Sequence, residues 1–309
     1  MISTSWPHTR SPYEIFQLLL KNPRIPKTEI AKYFKINPKT ADTWWETATD
    51  ERFIIPPVFR RRSFLNFREY FYFIRTGDPH LLYENLRKSE DITYYSVQTG
   101  FADFQIIAEK PLSLNLDVVL AGERSNYYVS IPPDCTFEQA IMRIQKKLET
   151  LEELKPYPSP LIYQKKTYGP WDDLDEAIYR ELVNDLRKPF AQIIKSTNAY
   201  SDKIMHWFRN RHRFGQTITM FFPEGESSYQ LSLFSIETDN DWLLIDLFSE
   251  LPTSTVFYRL DKRLMMSLYL PFLPSGGARF IVRKVLSDLQ KNELVTECTN
   301  SIAEYYYRP

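Results

Sequence analysis

An α+β chain made of two tandem copies of one plan, a winged helix-turn-helix followed by a βαββαβ sheet domain, is what the sequence predicts, and three observations lead there. The first is an internal repeat. The Leu-rich helix at 13–20 answers to 176–183, Arg24 to Arg187, Ala41 to Ile204 and Trp45 to Phe208, all at an offset of 163 residues. Farther on, Ile74-Arg75-Thr76 and Leu81-Leu82 answer to Ile236-Glu237-Thr238 and Leu243-Leu244 at 162. A register that drifts by one residue over such a span marks a duplicated unit. The second is size: 309 residues, 43% of them hydrophobic, suffice for about two domains with a core each. The third is punctuation. Glycine is scarce at 8 against 21 prolines and 15% aromatics, which points to proline-marked turns and aromatic packing. Neither a Walker sequence nor GxGxxG is present to cradle a phosphate.

Each element of the first copy has a local reason. Ser11-Pro12-Tyr13-Glu14 combines a capping residue, a proline at the first helical position and a Glu three after the cap, so a helix starts there with Ile15, Leu18 and Leu19 facing inward. A second helix runs from Lys27 or Thr28 to Phe34, with Ile30, Ala31 and Phe34 inward. Asn37-Pro38 caps a third, whose inward positions are Ala41, Trp45 and Ala48. Three short helices with a brief break before the last form the helix-turn-helix arrangement. Residues 53–62 (FIIPPVFRRR) read as an extended wing and 67–76 (FREYFYFIRT) as an aromatic strand. Helix 79–89 and strands 92–99 and 101–109 follow, the latter two joined by a turn in which Gly100 takes positive φ. From 115 to 133, a short helix plus a strand and a pair of strands fit equally well.

In the second copy a helix opens near 174, a second spans 190–197, and Ser201-Asp202 caps the counterpart third helix, with Ile204 and Phe208 inward. Strand 229–237, helix 240–251, strands 255–260 and 264–270, helix 279–291 and strand 298–307 then give a complete βαββαβ order. That order folds into a four-stranded antiparallel sheet with two helices on one face. The chain thus divides into a helix-turn-helix over 1–62, a sheet domain over 63–133, a helical connector over 134–170, a second helix-turn-helix over 171–225 and a second βαββαβ domain over 226–309.

The residues at Arg24 to Trp45 (RIPKTEIAKYFKINPKTADTWW) resemble the DNA-binding helices of the Lrp/AsnC, or feast/famine, transcriptional regulators. The Arg-Ile entry, the Thr-Glu-aliphatic-Ala-Lys helix and the Pro-x-Thr start of the recognition helix stand at that family's spacing. Leu174-Asp175-Glu176 is like the family's usual opening. Thr99 to Ile107 (TGFADFQII) resembles the Gly-x-x-Asp hairpin of the family's ferredoxin-like effector (RAM) domain, with Gly100 and Asp103 on the matching positions. The resemblance implies a sequence-specific transcriptional regulator that binds double-stranded DNA as a homodimer, with an amino-acid-class effector at Gly100, Phe101 and Asp103. It implies no enzymatic activity, cofactor or metal.

The two copies differ in charge. The first recognition helix carries Asp42 and Glu46, which oppose phosphate, so its support falls to Lys39, Thr40 and Thr43 and to Arg60, Arg61 and Arg62 on the wing. The second offers Lys203, His206, Arg209, Asn210 and Arg213, of which Arg209 and Asn210 could reach base edges. Its hairpin departs from the motif, with Lys262 and Met265 in place of Gly100 and Asp103. Trp44-Trp45 reads as half core, half interface. His206 and His212, six apart, lie on different faces and make a poor metal pair. Overall, Lys plus Arg (39) equal Asp plus Glu (39), so any basic surface is local. Cys135 and Cys298 form neither a disulfide framework nor a zinc spacing. The start (MISTSWPHTR) lacks an apolar signal core, and the longest apolar stretch, Leu264 to Pro274, is broken by Ser267 and Pro271; a cytoplasmic location is the expectation. Two alternatives stand beside the regulator: an assembly protein with vestigial helix-turn-helix domains, and an enzyme resembling the siroheme decarboxylases, which look like members of the same superfamily.

Overall fold

The computed structural model describes residues 11–86, 91–272 and 277–307. The N-terminal decapeptide, the end of the expected helix 79–89 and residues 273 and 274 of the apolar stretch lie outside the described residues. In chain order the elements are α1 (Ser11–Lys21), α2 (Lys27–Phe34), α3 (Pro38–Asp50), β1 (Ile54–Arg61), β2 (Tyr70–Arg75), α4 (Pro79–Leu86), β3 (Ile92–Gly100) and β4 (Phe104–Ala108). There follow β5 (Asp117–Glu123), β6 (Tyr128–Val129), α5 (Phe137–Glu149), α6 (Asp173–Leu182), α7 (Phe190–Thr197), α8 (Ser201–Asn210) and β7 (Gly215–Phe221). The chain closes with β8 (Tyr229–Glu237), α9 (Asp241–Phe248), β9 (Val256–Leu260), β10 (Arg263–Pro271), α10 (Ala278–Lys291) and β11 (Glu297–Tyr307). Among the described residues no helix is long and apolar enough to cross a membrane. Two compact units result, one from Met1–Arg61 with Gly169–Ser228, the other from Arg62–Tyr168 with Tyr229–Pro309. The connector expected to be helical over 134–170 contains α5, a single 3-10 turn at Leu151–Glu153 and irregular chain to 172.

In the first unit, local chemistry sets the helix ends. The Asn37 side chain accepts from the Thr40 amide (2.8 Å) with Pro38 at the first helical position of α3, and Asp172 and Asp175 form a reciprocal capping box on α6. Helix α8 departs from the expectation: Tyr200 occupies its cap position with no side-chain bond, and Trp207, not Phe208, is the buried ring. The register moves by one residue because Trp207 packs against Phe214 (5.2 Å between centroids), while Phe208 is half-buried against Phe190 (6.2 Å). In α1 the buried side chains are Ile15, Phe16 and Leu19, with Leu18 half-buried.

Strands β1 and β7 do not stay with their own helices. Strands β1 and β7 pair antiparallel from Ile54 opposite Phe221 to Arg61 opposite Gly215. Phe221 enters the core of the first helix trio beside Ile15, Phe16, Leu19 and Ile30, and stacks near Phe16 (5.4 Å). Phe59 enters the second trio, edge-on to Trp207 (5.3 Å), Phe214 (5.5 Å) and Tyr179 (6.3 Å). These two phenylalanines are 162 residues apart in sequence, so each core is completed by the ring that the repeat places in the other copy. Burying one such ring contributes roughly 2–3 kcal/mol.

The second unit is a mixed α+β body around a curled antiparallel sheet of nine strands, ordered β5-β2-β4-β3-β11-β8-β10-β9-β6. The first four and the next four repeat one pattern: the last strand of each half flanks its first, followed by the third and the second. The halves join where β11 pairs with β3. The curl is direct: Phe71 on β2 meets Tyr258 on β9 (4.9 Å), strands far apart in sheet order, and Arg124 just after β5 bridges Leu260 at the end of β9. Helices α5, α9 and α10 cover the core of the second half, and α4 packs on β3. The first half lacks the second helix of βαββαβ. Chain 109–116 instead runs irregularly, with Leu112 and Leu114 packed on that core and the Leu112 amide donating to the Tyr72 hydroxyl (2.8 Å). The undecided stretch 115–133 resolves as two strands, β5 and β6.

Two glycines are fixed by close approach. At Gly100 (φ +148°) a Cβ would meet the Asn300 carbonyl and the Ser301 Cα (2.6 Å), at the seam where β11 joins β3. At Gly215 it would strike the Phe59 ring and the Arg60 carbonyl (2.6 Å). Gly100→Ala and Gly215→Ala are each expected to destabilise by about 1–3 kcal/mol, as overpacking does. Gly77→Ala, with nothing within 4 Å, serves as the control. Denaturant midpoints check both.

Candidate functional site

The first unit gathers most of the basic residues singled out in the sequence. Its centre is a reciprocal clasp. Arg24 Nη1 donates to the carbonyls of Leu186 and Lys188 (3.1 Å to the latter), which flank Arg187. Arg187 donates from Nη1 to Pro23 (3.1 Å) and from Nη2 to Ile25 (2.9 Å), which flank Arg24. The Arg187 guanidinium lies 4.3 Å from the Trp45 ring centroid, and that of Arg24 lies 4.4 Å from Phe190 and 5.5 Å from Phe208. Arg24 with Arg187 and Trp45 with Phe208 are the pairs matched at the 163-residue offset. Burial lowers both guanidinium pKa values, as desolvation of a cation does.

Several of the expected DNA contacts are engaged within the protein. Arg60 Nη1 donates to the Phe59 and Val183 carbonyls (both 2.7 Å). Arg61 pairs with Glu176 (2.9 Å) and lies over Tyr179 (4.0 Å), while Arg62 is half-buried at the start of the second unit. Lys203 bridges Asp175 (2.8 Å) and Asp172 (2.9 Å). On α3, Lys39 is exposed, Thr40 Oγ1 donates to Asn37 (3.1 Å), and Thr43 Oγ1 donates to the Lys39 carbonyl (3.2 Å). The acids Asp42 and Glu46 are not left bare: Lys27 Nζ sits 3.2 Å and 3.8 Å from them.

What remains open to solvent is one face of α8 and the turn after it. His206, Arg209 and Arg213 are exposed at helical spacing, with Asn210 half-buried among them and donating to the His206 carbonyl (2.9 Å). His212 is exposed beside them, its Nδ1 3.0 Å from the Arg209 carbonyl. No ion pair of His206, Arg209 or Arg213 is found among the described residues, so this face carries uncompensated positive charge. Sequence reasoning overlooked Arg211, which turns inward. It donates to Thr217 (Nε, 3.2 Å) and the Phe208 carbonyl (Nη1, 2.6 Å) and stacks 4.0 Å from the Phe208 centroid. The available signal was its place three residues after Phe208, one helical turn on and so beside that ring.

In the second unit, Gly100, Phe101 and Asp103 serve the seam between the half-sheets. Phe101 packs on Phe73 (5.3 Å) and its amide donates to Asn300 (3.1 Å), while Asp103 Oδ2 accepts from the Thr76 amide (3.0 Å). The cleft between α5 and α10, about 310 Å³, is lined by Glu149, Asp288 and Lys291 among leucines, and Lys291 is already paired with Asp288 (3.3 Å). Its balance is unsuited to an anion. No cluster of His, Cys, Asp and Glu among the described residues could hold a metal ion.

Hydrogen bonding to Lys203 and to its own cap partners holds the Asp172 carboxyl below the usual range. A depressed folded-state pKa supplies stability that is complete above the unfolded value and is lost as pH falls through the folded one. In Lys203→Met the Asp172 titration, followed by NMR, is expected to move back up and the acid limb of the stability profile to shift upward with it.

No protein-family model matches the chain, and no curated protein matches it in sequence. Among solved structures it is similar to the crystal structure of the siroheme decarboxylase NirDL, with a TM-score of 0.52 and 10% identity, covering 96% of this chain and 92% of that chain. It is also similar to NirDL in co-complex with an iron-uroporphyrin III analogue, with a TM-score of 0.48 and 9% identity, covering 95% and 92%. The first likeness shows the fold, a mixed α+β chain with a curled antiparallel sheet, which is compatible with an Lrp/AsnC-like fold. It also corrects the expectation that the chain is no enzyme, since a solved protein whose fold it shares is a siroheme decarboxylase.

Proposed function

We propose that the chain acts on an anionic tetrapyrrole, as an enzyme of the siroheme-decarboxylase kind built from two winged helix-turn-helix modules and two fused ferredoxin-like halves. The observation that carries this reading is a shared fold over nearly the full length of both chains. The chemistry of the exposed α8 face agrees with it. A tetrapyrrole with acetate and propionate side chains needs cations for its carboxylates, and Arg209 and Arg213 supply them. Loss of a carboxyl as carbon dioxide leaves the electron pair of the broken C–C bond on the methylene carbon, which then takes a proton. His206 and His212, both exposed there, are side chains able to deliver one.

Titration of siroheme into the protein is expected to give a saturable shift of its absorption band, and mass spectrometry of the extracted pigment to show loss of carboxyl groups. Absence of any spectral change with siroheme in excess would sink the reading; binding with no loss of carboxyl would reject its catalytic half. Arg209→Gln and Arg213→Gln are each expected to weaken the spectral titration about tenfold, the equivalent of about 1.4 kcal/mol.

The same exposed cations support a second reading, a regulator that grips double-stranded DNA through Arg209, Asn210 and Arg213 as a homodimer, with an amino-acid-class effector near Gly100 and Asp103. A protein using six or more phosphate contacts loses about a thousandfold in affinity between roughly 50 and 200 mM salt. A flat salt response in a DNA mobility assay rejects this reading and leaves the first untouched.

A further inference from the structure

We propose that the outer face of α10, with the end of β10 beside it, docks the protein on an anionic lipid bilayer as a peripheral contact. This inference stands apart from the tetrapyrrole and DNA readings, both of which use the first unit.

One side of α10 belongs to the core. Val282, Val285, Leu286 and Leu289 are buried in the cluster that also holds residues of α9 and β10. The other side carries Phe280, Arg283, Lys284 and Ser287, all exposed, at the i, i+3, i+4, i+7 spacing of a single stripe. Phe280 is 71% exposed, the highest value for a large apolar side chain among the described residues. Phe272, 56% exposed, directly follows β10, on which α10 packs. Leu270, two residues before it, shares the core cluster with Val282. Exposed apolar residues scattered singly are ordinary on a protein surface, but two phenylalanines flanking the start of one helix are not scattered.

The charge around these rings has one sign. Acids make up 39 of the 309 residues, yet the chain holds no Asp or Glu from Leu264 to Ser287. The three cations of that span, Arg279, Arg283 and Lys284, form no ion pair among the described residues. Arg279 also buries its Nε and Nη2 without a hydrogen-bond partner. The first turn of α10 has no acidic residue, although the helix dipole favours one there, and the next acid, Asp288, is paired with Lys291 (3.3 Å). On α5, which packs beside α10, Arg143 and Lys147 are by contrast answered by Glu250 and Asp246.

Exposed rings among unpaired cations match a bilayer interface, where rings settle at the acyl boundary and arginine and lysine stay with the phosphates. Duplex DNA would answer the charge and leave Phe280 in water. Among the described residues no helix can cross a membrane, so the contact lies in the plane of the interface.

The full chain is sedimented with vesicles of phosphatidylcholine alone and with an equal mixture of phosphatidylcholine and phosphatidylserine. Saturable binding to the mixed vesicles is expected, reduced by added salt as screening requires. Arg283→Gln and Lys284→Gln are each expected to weaken partitioning about fivefold, and Phe280→Ser about tenfold. Phe280→Trp is expected to add a blue-shifted emission on the mixed vesicles, a sign of ring insertion that charge attraction alone does not give. Tyr200→Ser, which removes a 65% exposed ring from the first unit, is the control and keeps wild-type binding. No binding to the mixed vesicles, equal binding to both kinds, or unchanged binding of Phe280→Ser overturns the proposal. So does loss of binding in Arg209→Gln with Arg283→Gln unaffected, which moves the contact to α8. A wild-type chain that dimerises without lipid, with Phe280→Ser monomeric, makes the stripe a contact between two copies and equally overturns it.

Discussion

Two arginines, each reaching across to bond the carbonyls on either side of the other, fix the geometry on which the first unit depends. Charge-assisted hydrogen bonds of this kind contribute about 1.5–3 kcal/mol each when formed and cost more when a buried partner is stranded. The Arg24 and Arg187 guanidinium groups are also stacked on Phe190 and Trp45, so their planes are held as well as their charges. The exchange of Phe59 and Phe221 between the two helix trios follows from the same arrangement: with the turns clasped, β1 and β7 run side by side and each delivers its ring to the opposite core. Neither helix trio has a complete core without the other.

The second unit solves the same problem in backbone. Two half-sheets of one strand order would each leave an exposed edge, a liability in any open sheet. Pairing β3 with β11 removes one edge of each, and the curl brings the other ends together at Arg124 and Leu260. Gly100 is the cost of that seam, since β11 passes where its side chain would be. The Gly-x-x-Asp motif therefore has a full structural account here, with Asp103 holding the Thr76 amide at the end of β2.

The fold cancels most of the charge on the first unit and leaves a little of it open. Several basic groups of the first unit are answered internally, Arg61 by Glu176, Lys203 by two aspartates and Lys27 by Asp42 and Glu46. The α8 face, with Arg209 and Arg213 exposed and without an ion pair among the described residues, is the exception.

The repeat, the helices and the strands were legible in the sequence because they rest on local rules: capping by Asn37, periodic apolar residues in α1 and α2, and aromatic and β-branched runs such as β2. The 163-residue offset even paired Arg24 with Arg187 and Trp45 with Phe208 before any contact was known. What could not be read was which partner each side chain finds. Phe59 and Phe221 look alike in either core, Trp207 and Phe208 differ only by one step of helix, and Arg60, Arg61 and Lys203 read as free cations until Val183, Glu176 and Asp175 are placed beside them. Spacing along a chain determines the face of an element; only the tertiary structure brings residues distant in sequence within hydrogen-bond reach, and there charge is either cancelled or left open to solvent.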